Sequence, residues 1–480
     1  MKGKSEAKRS TQSLSGSRPA KRLRSGASAG TAAVAAAGDD AAAAAAAPAP
    51  ALAPELEQEI GQGRDALIIP HPHPPHHHHH HRPSNSERER SPPTKRLRVA
   101  RAHIPPALSR DLLRVTDRLS GPHLPDTDEG HYVFCIGDNL TPRFKIMRKF
   151  GEGTFGRVME CWDRRRSNYV AIKVIRAVDK YRDAAMVELQ VLATLAANDP
   201  DGQYPIVRLL EWFDYRGHVC MVFDRLGPSI YDCLKRNSYR AFPLPMARAF
   251  IRQVLEAVAY MHSFHLIHTD LKPENILFLN DDVVMVDRPS GSKVASRLPP
   301  SDGIRLIDFG SATFEEDYHS TVVSTRHYRA PEIILGLGWS KPCDLWSLGC
   351  ILVELITGDA LFQTHENMEH LAMMEVVVGA IPKDMAKQAT REGANQAVKA
   401  LFRRGPKLNW PEGADGKKSV KAVAKMKPLA DHLRAHADSS VLPYLGQIVD
   451  LVSKLMDWNP ATRITAEQAL QHPFFTEELH

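Results

Sequence analysis

Ile267-His268-Thr269-Asp270-Leu271-Lys272-Pro273-Glu274-Asn275-Ile276-Leu277-Phe278 is the stretch on which the reading of this chain turns. It sets a carboxylate (Asp270), a cation (Lys272) and an amide (Asn275) close together, between an apolar helix-like run and a short strand-like run. Such a loop presents polar groups at one point. The carboxylate suits a reacting hydroxyl, the lysine a phosphoryl group in transfer and the amide a metal ion. A polar surface turn has the same look over so short a stretch, so the flanking chain has to decide.

Upstream, Pro245 opens a long helix with Ile251, Val254, Leu255, Val258 and Met261 on one face; proline suits a first turn. Downstream of Leu279, an insertion containing Val283-Val284-Met285-Val286 and a Pro/Ser/Gly-rich segment reads as a short hairpin and loop. Ile304 to Ile307 is then a strand running straight into Asp308-Phe309-Gly310. A polar loop over 311–329, with Tyr318, Ser320, Thr321, Ser324, Thr325 and Tyr328, ends in Ala330-Pro331-Glu332. Asp344 to Ile356 is an apolar helix, and Arg463 is a candidate buried partner for Glu332.

Farther upstream lies Gly151-Glu152-Gly153-Thr154-Phe155-Gly156-Arg157-Val158. Dinucleotide-binding folds also use G-x-G-x-x-G, but there the motif opens a helix, whereas Arg157 to Trp162 alternates like a second strand. A hairpin whose backbone approaches phosphates fits better, with Phe155 at its tip closing over a nucleotide. Val170 to Ile175 is a strand with one lysine, Lys173, and Glu188 follows in a helical run from Ala184 to Leu195. Val219 to Phe223 is an apolar strand running into Asp224-Arg225-Leu226-Gly227-Pro228, which suits a hinge between two lobes.

The chain is long enough for two or three domains. Residues 1–130 are rich in Ala, Pro, Ser, Arg and His and contain almost no aromatic residue, too little to offset ordering entropy, so they are expected to be disordered. Their alanines inflate the 43% hydrophobic content. Six scattered cysteines with no C-x-x-C pair fit a reducing compartment and no zinc site. No apolar stretch is long enough to span a membrane, and no apolar run follows Lys2 and Lys4 as in a secretory signal. Lys21-Arg22-Leu23-Arg24 and Lys95-Arg96-Leu97-Arg98 are readable by a nuclear import receptor, which places the chain in the nucleus, with the cytoplasm as a second location. The run His76 to His81 reads as low-complexity sequence rather than a metal site.

Taken together, G-E-G-T-F-G-R-V, A-I-K, H-T-D-L-K-P-E-N, D-F-G and A-P-E resemble the eukaryotic protein kinases in order and spacing, over roughly residues 144 to 475. Thr269 within His268-Thr269-Asp270, the stretch Ser324-Thr325-Arg326-His327-Tyr328-Arg329-Ala330-Pro331-Glu332, and Glu369-His370-Leu371-Ala372-Met373-Met374-Glu375 are similar to the LAMMER, or Cdc2-like, kinases. Gly336 to Ser340 and Phe362 to Asn367 look most like the plant and algal members. Val376 stands where the family's name-giving motif ends in arginine. That stretch is expected to be an amphipathic helix with Leu371, Met374 and Val378 inward.

The resemblance implies an α+β, two-lobed kinase fold: small lobe 144–223, hinge 224–227 and large lobe 228–475. It implies ATP and Mg2+ as cofactors. Asp270 would orient the substrate hydroxyl and take its proton, Lys272 would stabilise the phosphoryl group, and Lys173 positioned by Glu188 would hold the phosphates. Asn275 and Asp308 would hold the metal. Phe150, Gly151, Glu152, Gly153, Thr154, Phe155, Gly156, Arg157, Val158, Ala171, Lys173, Phe223, Asp224 and Leu226 would form the nucleotide site. The implied activity is Ser/Thr phosphorylation with tyrosine autophosphorylation, on arginine/serine-rich splicing factors. Arg88-Glu89-Arg90-Ser91-Pro92 in the tail resembles such a substrate, and Glu274 could face a substrate arginine. A monomer is expected, without membrane or direct nucleic-acid binding. A pseudokinase scaffold would lack one of Lys173, Asp270, Asn275 or Asp308, and all are present. A nucleic-acid-binding protein would need basic surface interleaved with aromatics, which the basic tail lacks.

Overall fold

Phe144 and Ile146, Met159 and Cys161, and Val170, Ile172 and Val174 are buried at alternate positions, and a period of two puts them on one face of a sheet. In the computed structural model, which describes residues 101, 103–107, 124–282, 284–286, 296–299, 301–403 and 405–479, they lie on β1 (Phe144–Gly153), β2 (Gly156–Asp163) and β3 (Asn168–Ile175). Helix α1 (Asp179–Asn198) follows, then β4 (Leu209–Tyr215) and β5 (His218–Asp224). The sheet is antiparallel in the order β1-β2-β3-β5-β4. One apolar cluster, with Tyr132, Leu140, Phe213 and Val222, covers the face just described. Leu189, Leu192 and Leu195 of α1 join Ile175, Met221 and Phe223 in the larger core that continues into the helical part.

Past β5 the chain enters α2 (Ile230–Arg236), started by a capping box between Ser229 and Asp232. Helix α3 (Leu244–Ser263) has Pro245 in its first turn and buries the five apolar residues expected from its periodicity. It delivers the chain to β6 (Leu266–Ile267), the polar loop and β7 (Ile276–Phe278). The insertion forms the expected hairpin, β8 (Val284–Val286) against β9 (Ser296–Leu298). β10 (Ile304–Leu306) pairs with β7, and β11 (Thr313–Phe314) with β6. Helix α4 (Pro342–Thr357) runs through the core, and α5 (Asn367–Val377) follows. Arg463 meets Glu332 at 2.7 and 2.9 Å with both side chains buried, as expected. Removing either partner would strand a buried charge, at a cost of about 3–5 kcal/mol.

Two expectations need correction. The stretch around Val376 is not amphipathic: His370 to Met374 and Val377 are all buried, and Val378, at the helix C-cap, packs against the core as expected of it, together with Leu371 and Met374. Val376 packs against the core, where its methyls fit an apolar contact. The folded part also begins well before residue 144. Gly130 O accepts from Ala177 N at 2.9 Å, Glu129 O accepts from Arg176, and Asp126 lies 3.2 Å from the buried ring of His218. Both basic tetrapeptides and the histidine run lie outside the described residues.

Candidate active site

Two carboxylate centres flank the cleft, each ionised for a different reason. Lys173 Nζ donates to Glu188 at 2.8 and 2.9 Å and to Asp308 Oδ1 at 3.0 Å. β3 and α1 therefore bring together the lysine and glutamate paired from sequence, and Asp308 joins them. The Lys173 charge holds the Asp308 carboxyl down at about 2 in spite of burial. Burial pushes Glu188 upward against the pull of Lys173. Asp308 adopts a φ of 63°, a left-handed conformation uncommon for a residue with a side chain and frequent at functional sites.

Asp270 is held by contacts from its own loop and from the segment after Asp308. Lys272 Nζ donates to its Oδ2 at 2.6 Å; Thr325 donates to its Oδ1 from both N, at 2.9 Å, and Oγ1, at 2.7 Å. Burial opposes the charged form, but Lys272 and Thr325 outweigh it and pull the carboxyl below its usual range. Lys272 also reaches Thr325 Oγ1, so carboxylate, cation and hydroxyl form one cluster. A hydroxyl held as Thr325 Oγ1 is would be oriented toward a base. Sequence reading gives Thr325 a place in a polar loop and in the stretch similar to the LAMMER kinases, but no contact with Asp270; that contact spans 55 positions and has no local sequence signal.

The loop is fixed from behind by Asp344 of α4. Its carboxylate accepts from His268 N and Thr269 N at 2.9 Å each and faces His262 Nε2 at 2.9 Å, all of it buried. Asp270 N donates to His268 Nδ1, so the ring proton sits on Nε2 and points to Ile307 O. Sequence reading missed Asp344 as a support because a carboxylate opening a helix looks like ordinary first-turn charge. Thr269, φ 68°, donates through Oγ1 to Ser311 O.

Asn275 Nδ2 donates to Asp270 O at 3.0 Å, which leaves its Oδ1 as an acceptor. An amide oxygen and the Asp308 carboxylate are hard oxygen donors of the kind a small divalent cation prefers, so these two residues fit the proposed metal pair.

The glycine-rich segment is a hairpin, with Gly153 opposite Gly156. A side chain at Gly156 would run into Val174 O at 2.1 Å, so this glycine is required by the approach of β3. Nothing lies within 4 Å of a Cβ placed on Gly151 or Gly153. Not every predicted nucleotide contact has its side chain there. Glu152 pairs with Arg157 at 2.9 Å and with Lys149, and Arg157 also donates to Tyr132 O. Cross-strand pairing has claimed both charged groups, so only their backbone remains for phosphates. Phe155 at the tip meets Tyr181 of α1 edge-on, centroids 5.9 Å apart, instead of extending across the opening. Phe150 is exposed, with Arg148 over its ring, whereas Ala171 and Phe223 pair in register on β3 and β5, followed by Asp224 and Leu226.

A second acidic pocket lies beside the loop. Glu274 is half-buried, and its Oε2 is sequestered without a hydrogen-bond partner. Burial pushes its carboxyl upward, with Asp270 and Asp232 adding. Glu354 of α4 accepts from Tyr328 at 2.8 Å and is pushed up to about 7, mainly by burial, with Glu274 adding. One oxygen of Glu274 is thus sequestered without a hydrogen-bond partner, with the Glu354 carboxyl close enough that Glu274 raises its proton affinity.

A family model described as a protein kinase domain matches residues 144–475. The serine/threonine-protein kinase AFC1 of Arabidopsis thaliana is 52% identical over 364 residues, 74% of this chain and 76% of that protein. AFC3 of the same plant is 52% identical over 365 residues, 75% of this chain and 88% of its own length. The human dual specificity protein kinase CLK2 is 44% identical over 351 residues, 73% of this chain and 67% of its own. Among solved structures, a crystal structure of a kinase domain superposes with a TM-score of 0.65 at 38% identity, covering 72% of this chain and 99% of the other.

Proposed function

Because this chain belongs to the protein kinases, and among them to the LAMMER kinases, we propose that it phosphorylates serines in arginine/serine-rich proteins, splicing factors foremost, with Mg2+ as the metal and the nucleus as the place of action. Its relatives carry serine/threonine and dual-specificity activity in their names. The reading of substrate is carried by one observation, the sequestered Glu274 Oε2 beside Glu354. A sequestered carboxylate oxygen without a partner is costly, and a guanidinium from a bound substrate would supply its missing hydrogen bond.

In this mechanism Asp270 accepts the hydroxyl proton as the oxygen bonds to the terminal phosphorus of ATP, whose bond to the bridging oxygen breaks so that ADP leaves with that electron pair. Lys272 leaves Asp270 Oδ2 to meet charge growing on the phosphoryl oxygens, and Lys173 keeps the nucleotide's phosphates in place. Asn275 and Asp308 would hold the metal, which would neutralise phosphate charge. Thr325 Oγ1 on Asp270 Oδ1 shows that this carboxylate can take a hydroxyl hydrogen bond. The basic tetrapeptides are the proposed import signals.

The test compares an arginine/serine peptide with a copy in which lysine or alanine replaces arginine, using unaltered enzyme, Glu274→Gln and Asp270→Asn. Asp270→Asn should abolish transfer to both. Glu274→Gln should raise KM for the arginine peptide by about tenfold, the loss of one charged hydrogen bond, and leave KM for ATP unchanged. Equal use of the arginine and alanine peptides by unaltered enzyme would refute the substrate reading.

A further inference from the structure

Arg101 and Asp317 are 216 positions apart, yet they meet at 2.6 Å. The Arg101 guanidinium also reaches Glu316 at 3.3 Å and lies over the ring of Phe314, 4.2 Å from its centroid. Four residues on, Pro105 O accepts from Trp212 Nε1 at 2.6 Å, and Ile104 packs against the main core. Trp212 belongs to β4, the edge strand of the small-lobe sheet. Arg101 and residues 103–105 therefore act as a strap with one end on the small lobe and the other on the segment that follows Asp308.

The lower anchor is close to the catalytic loop in connectivity. Phe314 is almost fully buried on β11, opposite Leu266 of β6, and β6 leads through Ile267 and His268 to Thr269 and Asp270. The next residue, Glu315, donates its N–H to His265 O at 2.8 Å, and its carboxylate meets the His265 ring at 2.9 Å. Beyond Asp317 the chain goes on to Ser324 and Thr325, which touch Thr269 O and Asp270. In kinases with an arginine before the catalytic aspartate, that arginine can grip an activation-segment phosphate and order the segment. Thr269 offers no such charge.

A solvent-facing ion pair alone contributes little. Here one planar cation combines a ring contact with two carboxylates, and the strap's backbone is tied separately at Trp212. We infer that Arg101 is a positioning residue for phosphoryl transfer: through Phe314 and Asp317 it fixes the point where the activation segment leaves β11, and so holds the peptide groove in shape. Nothing in the strap touches Lys173, Glu188 or the glycine-rich hairpin, so the nucleotide side is independent of it among the described residues.

The experiment uses the full chain carrying Arg101→Ala, Arg101→Lys or Trp212→Phe, with a peptide that the unaltered enzyme phosphorylates. Arg101→Ala should raise the peptide KM about fivefold to tenfold, the combined size of a surface cation–π contact and an ion pair, with KM for ATP unchanged. Arg101→Lys should fall between, because an ammonium keeps the charge but cannot lie flat on the ring and reach both carboxylates. Trp212→Phe, which keeps a ring but loses the donor to Pro105, should shift the same constant in the same direction by less. Unchanged peptide KM in Arg101→Ala overturns the inference. So does a fall in kcat with both KM values unchanged, the signature of lost folded enzyme.

Discussion

Glu354 shows how a single residue can carry both specificity and pH dependence. Its carboxyl, pushed up to about 7 by burial with Glu274 adding, is neutral in mildly acidic solution and anionic above neutrality. On the proposed reading a substrate guanidinium meets Glu274, and the Glu354 anion beside it would strengthen that attraction, so KM for an arginine peptide should fall about fivefold as pH rises from about 6 to 8. Asp270 and Asp308 are held below the usual carboxylate range and stay ionised throughout, so they add no slope there. Glu354→Gln should flatten the profile while still accepting the Tyr328 hydroxyl. Stability follows from the same shift. A carboxyl whose folded value is raised favours the fold below its unfolded value of 4.5 and loses that contribution as pH climbs through about 7. The glutamine variant should therefore denature at a higher temperature than unaltered enzyme at pH 8, and less so at pH 5. Parallel KM profiles for the two proteins would remove Glu354 from substrate binding.

At the scale of elements, several contacts that anchor the activation segment go to backbone carbonyls and aromatic rings. Ser324 Oγ donates to Thr269 O at 2.5 Å, Arg329 donates to Ser324 O and Val323 O, and Trp339 Nε1 donates to Ser320 O while its ring stacks on His319. None of these requires a phosphate. Enzyme treated with a phosphatase should retain most of its activity, whereas Ser324→Ala, which strands a buried carbonyl, should lower kcat about tenfold; near-complete loss on dephosphorylation would reverse this assignment. The glycine-rich hairpin, the Lys173–Glu188 pair and the Glu332–Arg463 pair were legible in the sequence, because each sits in a motif whose spacing reports a fixed geometry. Thr325 on Asp270 and Asp344 behind the loop were not, since their contacts join distant segments with no period to announce them. The pairing of the Glu152 and Arg157 side chains was not legible either, because the hairpin register that sets them opposite each other is invisible in a glycine motif.

For the whole molecule, the decisive revision concerns where the folded body starts. Average composition over residues 1–130 reads as a tail, and averaging hides the short stretches within it that have partners. Asp126 faces the buried His218 ring, Glu129 O and Gly130 O accept from Arg176 and Ala177, and Arg101 with residues 103–105 straps the lobes. His218 Nδ1 is already committed to Ile175 O at 2.6 Å, so loss of Asp126 leaves its Nε2 buried and unpaired. A chain beginning at residue 131 should therefore lose about 3 kcal/mol relative to one beginning at residue 100, from that ring and the severed backbone bonds together. Urea midpoints of the two truncated chains and the full chain measure this. The chain from 100 should match the full chain in midpoint and peptide KM, while the chain from 131 should fall below it in stability and show the raised peptide KM expected of Arg101→Ala. Equal midpoints for both truncations would return the boundary to the start of β1 and leave the preceding contacts without energetic weight.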